Sequence, residues 1–399
     1  MKLEISVPFG PDSDGQSFFN ALPSAPAVFA LFPETRASLT GETPRLPGSA
    51  PYLSRTRDLR RRLTRLLGKP STSSKRLNLR EVARRVEYQG VGSTFEAQWL
   101  LYLLNKVYYP RTYRHRLRLK PPAVLKVNLR NRFPRCYPTR RFSNDGSLYY
   151  GPFASRVAAE RFASEFLDLF KIRRCVEDLN PDPAHPGCIY SQMRMCLAPC
   201  FAGCTDDEYQ QELSQVIAFL NRDGHALVHS LEEERARTSD SLDFEQAAKI
   251  HRKVEKIQAV LRLKPGLVRR LDELHAVMLQ PAAQPKSVAF FRIAGGELRG
   301  PATLSLDENV TSPLPLDAQL QTLLDSLARP GPSAADAAHV GPPPSWEPLN
   351  LLARWYYSSF REGELVMLPP NEEIPYARLI RLCRKMIQSR QYPARDQSP

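Results

Sequence analysis

Residues Arg174–Cys200 read RCVEDLNPDPAHPGCIYSQMRMCLAPC, and the organisation of the chain is read outward from them. Cys175, Cys188, Cys196 and Cys200 are separated by gaps of twelve, seven and three residues, with Cys204 just beyond. The opening residues lack a basic segment followed by an apolar one, and no run of about eighteen apolar residues occurs, so a cytoplasmic location is expected. In a reducing compartment, crowded cysteines read as metal or cluster ligands rather than disulfides. Soft thiolates suit iron, and four of them complete a cluster's ligand shell. A structural zinc is the alternative, although such sites usually show two close cysteine pairs and only Cys196 and Cys200 are close here, apart from the extra Cys204. Uncommitted thiols are the third reading. Cys136 and Cys383 read as ordinary, partly buried thiols.

On either side of this stretch the composition changes. With 399 residues the chain exceeds one comfortable core, so two to four domains are expected. Hydrophobic residues make up 42%, enough for packed cores, while 36 prolines imply stiff connections. The formal net charge of +14 favours a polyanionic partner, with nucleic acid first and a merely solvated basic surface as the alternative. The excess is local: Arg55 to Arg85 holds twelve Lys or Arg against Asp58 and Glu81, and Arg111 to Arg141 holds eleven against no acid.

Upstream, Ala27–Phe32 and the segment around Tyr52 suggest strands, and Leu59, Leu63, Leu66 and Leu67 recur at helical spacing among arginines. Ser93 with Glu96 three residues on suggests a capped helix to Tyr109. Ala123–Leu129 alternates like a strand, Tyr149–Phe153 reads as a tight turn, and a helix is expected near 156–170. Downstream, 205–263 shows two long helical patterns, read as a hairpin; Phe244, Ala247, Ala248, His251, Val254, Ile257 and Leu261 form one stripe. Val288–Ile293 before Gly295-Gly296 suggests a β-hairpin, 333–344 a Pro/Ala-rich linker, and 376–388 a last helix.

The order of these pieces, from about Leu22 to about Gln388, resembles UvrC, the incision subunit of bacterial nucleotide excision repair. The resemblance implies an α+β multi-domain protein in four parts. These are a degenerate GIY-YIG nuclease-like α/β domain (20–115), a basic and cysteine-rich module (116–204), a helical region with the UVR motif (205–265) and a C-terminal α/β remnant (266–390). It implies that Cys175, Cys188, Cys196 and Cys200 hold an iron–sulfur cluster of the [4Fe–4S] kind. It also implies that Leu242–His251 (LDFEQAAKIH) is the UVR motif, through which Phe244, Ala247, Ala248 and His251 would contact UvrB. The alternative is a stripe that packs only within this chain.

The departures from the family's nuclease pattern matter. Its first tyrosine position falls on Phe29, which has no hydroxyl; the second falls on Tyr52. Ser54 and Arg55 replace the following glycine and lysine, and the helix arginine is kept as Arg62. The helix that should carry the metal-binding glutamate puts Leu101, Tyr102 or Leu103 at that position, and Glu96 lies too early. Without a carboxylate, a divalent metal lacks a protein anchor, so incision by this domain is not expected. Tyr52 and Arg62 are the residual catalytic positions, which packing and solvated charge would also explain.

The candidate DNA-contacting residues are Arg55, Arg57, Arg61, Arg132, Arg135, Arg140 and Arg141, the last four interleaved with aromatics as backbone contact plus base stacking requires. A basic edge strand would look the same. The family's ribonuclease H-like nuclease and helix-hairpin-helix repeats have no counterpart in these 399 residues. The expected function is binding of damaged duplex and UvrB without efficient incision. The alternatives are an active short excision nuclease cutting once through the GIY-YIG domain, and a UVR-motif adaptor with a metal knuckle.

Overall fold

The computed structural model describes residues 3–10, 15–33, 50–69, 76–177, 179–222, 224–307, 314–328, 345–368 and 373–391. The expected linker at 333–344 lies outside them. The N-terminal unit contains β1 (Ile5–Pro8), α1 (Gly15–Asn20), β2 (Ala27–Phe32), β3 (Tyr52–Thr56), α2 (Leu59–Leu67), β4 (Arg85–Gly90), α3 (Thr94–Tyr108) and α4 (Tyr113–Arg116). Its strands pair antiparallel in the order β1-β4-β2-β3. Strand alternation divides the side chains between two faces. Ala27, Phe29 and Leu31 meet Leu59, Leu63, Leu66 and Leu67 of α2 on one face. Val28, Ala30, Phe32 and Leu53 meet Ala97, Leu100 and Leu104 of α3 on the other.

Both helices start on side-chain caps. Asp58 accepts the Arg61 N–H at 2.9 Å, and Ser93 accepts that of Glu96 at 3.0 Å. The Glu96 carboxylate reaches back to accept the Gly92 N–H at 2.7 Å.

The second sheet, β6-β5-β7-β8, is built from β5 (Ala123–Asn128), β6 (Arg135–Thr139), β7 (Leu148–Phe153) and the short β8 (Arg269–Arg270). Tyr149–Phe153, expected as a tight turn, is instead the body of β7. Its Gly151-Pro152 pair sits where the register with β5 shifts between Ala123 and Leu125. A missing ladder donor is tolerated at such an irregularity. Gly151 is also required by close approach, since a Cβ there would lie 2.7 Å from Val124 Cγ1.

After α5 (Arg156–Leu167) and the single turn α6 (Ile189–Gln192), the region expected to hold two helices holds three: α7 (Asp206–Asn221), α8 (His225–Asp240) and α9 (Phe244–Leu263). Gly224, at φ +64°, starts α8 and accounts for the extra break. The buried face of α9 is Ile250, Val254, Ile257 and Val260, so the expected stripe is right at Val254 and Ile257 but leaves the core toward Phe244. Sheet two, α5, α7 and α9 share one core, in which Phe166 touches Phe162, Phe170 and Phe219.

The third sheet, β11-β10-β9-β12, comprises β9 (Ala276–Pro281), β10 (Ser287–Ala294), β11 (Glu297–Ser305) and β12 (Glu364–Met367). Gly295 and Gly296, at φ +58° and +77°, form the expected two-residue turn. On one face, Val277, Leu279, Val288 and Phe290 pack with α10 (Leu316–Ala328) and α12 (Tyr376–Gln391). The other face joins Phe95, Trp99 and Tyr102 of α3 to α11 (Glu347–Tyr356). Buried Glu347 fastens that junction, accepting from Tyr113 Oη at 2.8 Å and Arg114 Nε at 2.6 Å. The architecture is thus mixed α and β with three sheets. Its cores run across the expected limits at 115, 204 and 265.

Gly92 lies where the first and third sheets meet: a Cβ there would fall 2.1 Å from Ala282 C and 2.2 Å from Pro281 O, both backbone. Gly92→Ala is therefore expected to destabilise the chain by about 1–3 kcal/mol, by the overpacking cost of a site that cannot yield. The urea midpoint checks this, and an unchanged midpoint would contradict the close seam.

Candidate nucleic-acid interface and thiol site

The Tyr52 hydroxyl accepts a hydrogen bond from Arg62 Nη2 at 3.4 Å, while Arg62 Nε is buried with no hydrogen-bond partner. Behind Tyr52 lies Phe29, fully buried, with ring centroids 6.2 Å apart. The hollow beside them is lined by Arg57, Asp58, Arg61, Arg62, Arg65 and Arg76, among others. Arg61 and Arg65, four residues apart, share one side of α2, and Arg57 lies just before the helix's Asp58 cap.

Asp58 is the carboxylate of this hollow, and both its oxygens are engaged, by the Arg61 N–H at 2.9 Å and by Ser24 Oγ at 2.7 Å. Those hydrogen bonds hold its pKa below the ordinary carboxylate range. Helix α3 packs on the opposite face of the sheet from Tyr52. Leu101 joins the core there, and Tyr102 and Leu103 join the core shared with the third sheet. Glu96 is buried on that side too, which raises its pKa, against the Gly92 hydrogen bond. Among the described residues no carboxylate hydrogen-bonds to Tyr52 or Arg62.

Arg55 and Arg57 also border a second groove with Ser93, Thr94 and Glu362. Burial, then the like charge of Arg57, lowers the pKa of Arg55, and among the described residues neither arginine makes an ion pair. The second basic segment is divided in its employment. Arg132 forms a two-pronged ion pair with Asp206, at 2.8 and 2.9 Å, so a phosphate would have to displace a carboxylate there. Asp206 belongs to the acidic first turn of α7, a signal present in Thr205-Asp206-Asp207-Glu208 that nothing in the sequence links to Arg132. Arg135 lies over the Tyr137 ring at 4.2 Å and reaches the carbonyl of Cys175 at 3.5 Å. Arg140 and Arg141 are exposed.

All seven cysteines are free, and Cys136 and Cys383 are fully buried rather than partly. Cys188 caps α6; Cys196 Sγ accepts the Ala198 N–H at 3.3 Å; buried Cys200 lies in the turn Pro199–Phe201. The left-handed residues Gly187, Arg194, Ala198 and Ala202 coil this loop on itself. Burial pushes Cys196 up to about 11, with the charges of Cys175, Cys188 and Cys200 adding to it. The four thiols are therefore electrostatic neighbours. Among the described residues, no group of three or more His, Cys, Asp or Glu side chains is spaced to hold a metal ion.

Arg173 is fully buried beside these thiols, its Nη2 on the Glu177 carbonyl at 2.8 Å and its Nε without a partner. A buried guanidinium with no carboxylate is costly unless an anion lies near. Its charge eases the ionisation of Cys175, against the burial that raises that thiol's pKa.

At the α8–α9 hairpin, Phe244 is 64% exposed, Ala248 and His251 are exposed and Ala247 is half-buried. His251 Nδ1 lies 3.0 Å from Arg235 Nη1. Leu242, which opens the UVR-like motif but is not among the four positions expected to reach a partner, is 73% exposed at φ +60° beside Phe244. Among the described residues no helix is long and apolar enough to cross a membrane.

The UvrC/Cho excinuclease middle domain matches residues 123–219, which take in β5 to β7, α5, the thiol loop and most of α7. The chain is similar to UvrABC system protein C of Carboxydothermus hydrogenoformans, 30% identical over 226 residues, covering 55% of this chain and 36% of the relative. The counterpart in Ruminiclostridium cellulolyticum is 28% identical over 219 residues, 54% of this chain and 35% of that one. That of Porphyromonas gingivalis is 24% identical over 298 residues, 72% of this chain and 47% of that one. The chain thus spans between a third and a half of the length of these curated relatives. No solved structure matches it. With a UvrC/Cho-type middle domain at its centre and UvrABC system protein C relatives over half to two thirds of its length, the chain is UvrC-like.

Proposed function

We propose that this protein acts in nucleotide excision repair, binding damaged duplex DNA and UvrB without efficient incision. The observation that carries the reading is the Tyr52–Arg62 pair, whose Arg62 lines an arginine-rich hollow with a carboxylate, Asp58, committed to capping α2. Guanidiniums there suit phosphates. A hydrolytic divalent metal does not fit, because a hard cation needs carboxylate oxygens and the helix expected to supply one packs on the far face.

The four neighbouring thiols fit an iron–sulfur cluster by donor type and number, with Cys175, Cys188, Cys196 and Cys200 as its ligands; zinc is the alternative occupant. Such a centre would supply redox chemistry and a covalent brace to the loop. Arg173 would offset the negative charge of its thiolates from within the core. Leu242 and Phe244 suit docking against a helical hairpin of UvrB, since exposed aromatic anchors dominate small interfaces.

The test of DNA binding is its salt dependence on a lesion-bearing duplex. Affinity is expected to fall about tenfold between roughly 50 and 200 mM salt for every two phosphates neutralised. Arg57→Glu with Arg61→Glu is expected to flatten the slope by about one unit for each phosphate no longer neutralised. Affinity indifferent to salt would overturn the reading. For the hairpin, Phe244→Asp is expected to weaken UvrB binding at least about tenfold in a titration, while leaving the urea midpoint in place because the ring is exposed.

A further inference from the structure

Phe360 is 94% exposed, the most exposed large apolar side chain among the described residues. It does not hang on a slack tail, because its loop joins α11 to β12 and is braced on several sides. The Glu362 carbonyl accepts from Trp355 Nε1 at 2.8 Å and from Gln280 Nε2 at 3.0 Å, and the Glu362 carboxylate accepts the Thr94 N–H at 3.1 Å. Gly363 turns the chain at φ +84° so close to β9 that a Cβ would lie 2.2 Å from the Leu279 carbonyl oxygen. The Arg361 guanidinium lies over the Trp355 and Tyr356 rings, at 5.4 and 5.0 Å. The ring of Phe360 is thus left in water by a loop whose backbone is already ordered.

Two residues further on, Glu362 lines the groove that holds Arg55 and Arg57. Those guanidiniums repel one another and have no ion-pair partner among the described residues. The groove's carboxylate, Glu362, is committed to Thr94. A pair of like cations lining one groove is relieved by an anion, and an exposed ring on a fixed loop is relieved by a flat apolar face. Strands with unpaired bases present both at short spacing, which is how single-strand binding sites combine a basic groove with stacking aromatics.

We propose that Phe360 is a base-stacking residue, with an unpaired base lying on its ring while the same strand's phosphates sit on Arg55 and Arg57. This deepens the DNA-binding reading and rests on it. The groove would favour distorted over intact duplex, because a paired base offers no free face.

The experiment uses the full chain and two fluorescently labelled probes of one sequence, a fully paired duplex and the same duplex with a short unpaired bubble. Phe360→Ala is expected to cut the preference for bubble over duplex about tenfold, the value of a single stacked base. Phe360→Trp is expected to keep the preference, with its indole emission quenched on binding the bubble. A preference untouched by Phe360→Ala, with no quenching in the tryptophan variant, would overturn the proposal while DNA binding stands. Failure of the parent chain to bind either probe would overturn the DNA-binding reading and this proposal together. Loss of UvrB binding in Phe360→Ala, with the bubble preference intact, would make the loop a protein contact and overturn it as well. Urea midpoints of both variants should match the parent, since the ring is in solvent.

Discussion

Cys196→Ser is expected to empty the thiol site: iron and acid-labile sulfide in anaerobically purified protein should fall from stoichiometric amounts to background. Serine offers a hard, protonated oxygen where iron needs a soft thiolate. Three remaining thiols leave one corner of a cluster unheld. Cys196 is the informative position because its sulfur feels the charges of all three other candidate ligands, which none of Cys136, Cys204 and Cys383 does. Cys204→Ser is the control, and iron should survive it. Parent protein carrying stoichiometric zinc without sulfide would transfer the site to the zinc reading; no metal at all would remove the site.

Phe166→Ala is expected to cost about 3–5 kcal/mol, enough to unfold a marginal chain. The ring is fully buried and contacts Phe162 at 5.5 Å, Phe170 at 5.2 Å and Phe219 at 5.3 Å between centroids. It joins α5 to the segment entering the thiol loop and to α7. Truncation should therefore lower the stability of sheet two and of the 206–263 helices together. Urea unfolding followed by circular dichroism and by tryptophan emission checks it. Separate melting of the helices, with their midpoint unchanged, would contradict the shared core.

Much of the local structure is legible in the sequence because its causes are local. The four leucines of α2, the Ser93 cap and the Gly295-Gly296 turn each carry their own instruction at fixed spacing. Pairings between distant segments are not legible. Nothing near Arg269–Arg270 announces that it extends a sheet begun at Ala123, and nothing near Asp206 says that Arg132 will hold it. Tyr149–Phe153 misleads because glycine and proline signal a turn locally, whereas here they occupy a bulged strand.

At the candidate site, the substitution at Phe29 and the missing glutamate of α3 are visible as residue types. The sequence does not say that α3 and Tyr52 lie on opposite faces of one sheet, since that depends on strand order. Nor does it show that Arg173 is buried without a carboxylate, or that Phe360 stands in solvent on a braced loop. Burial is settled by the whole fold.

The central claim, a hollow that holds DNA but cannot cut it, is tested most directly by incubating the chain with lesion-bearing duplex and Mg²⁺ or Mn²⁺. Bound and nicked fractions are then read from the same reaction. A saturable bound fraction is predicted, with nicking at the level of protein-free controls, in the parent and in Tyr52→Phe alike. Metal-dependent nicking that Tyr52→Phe abolishes would contradict it.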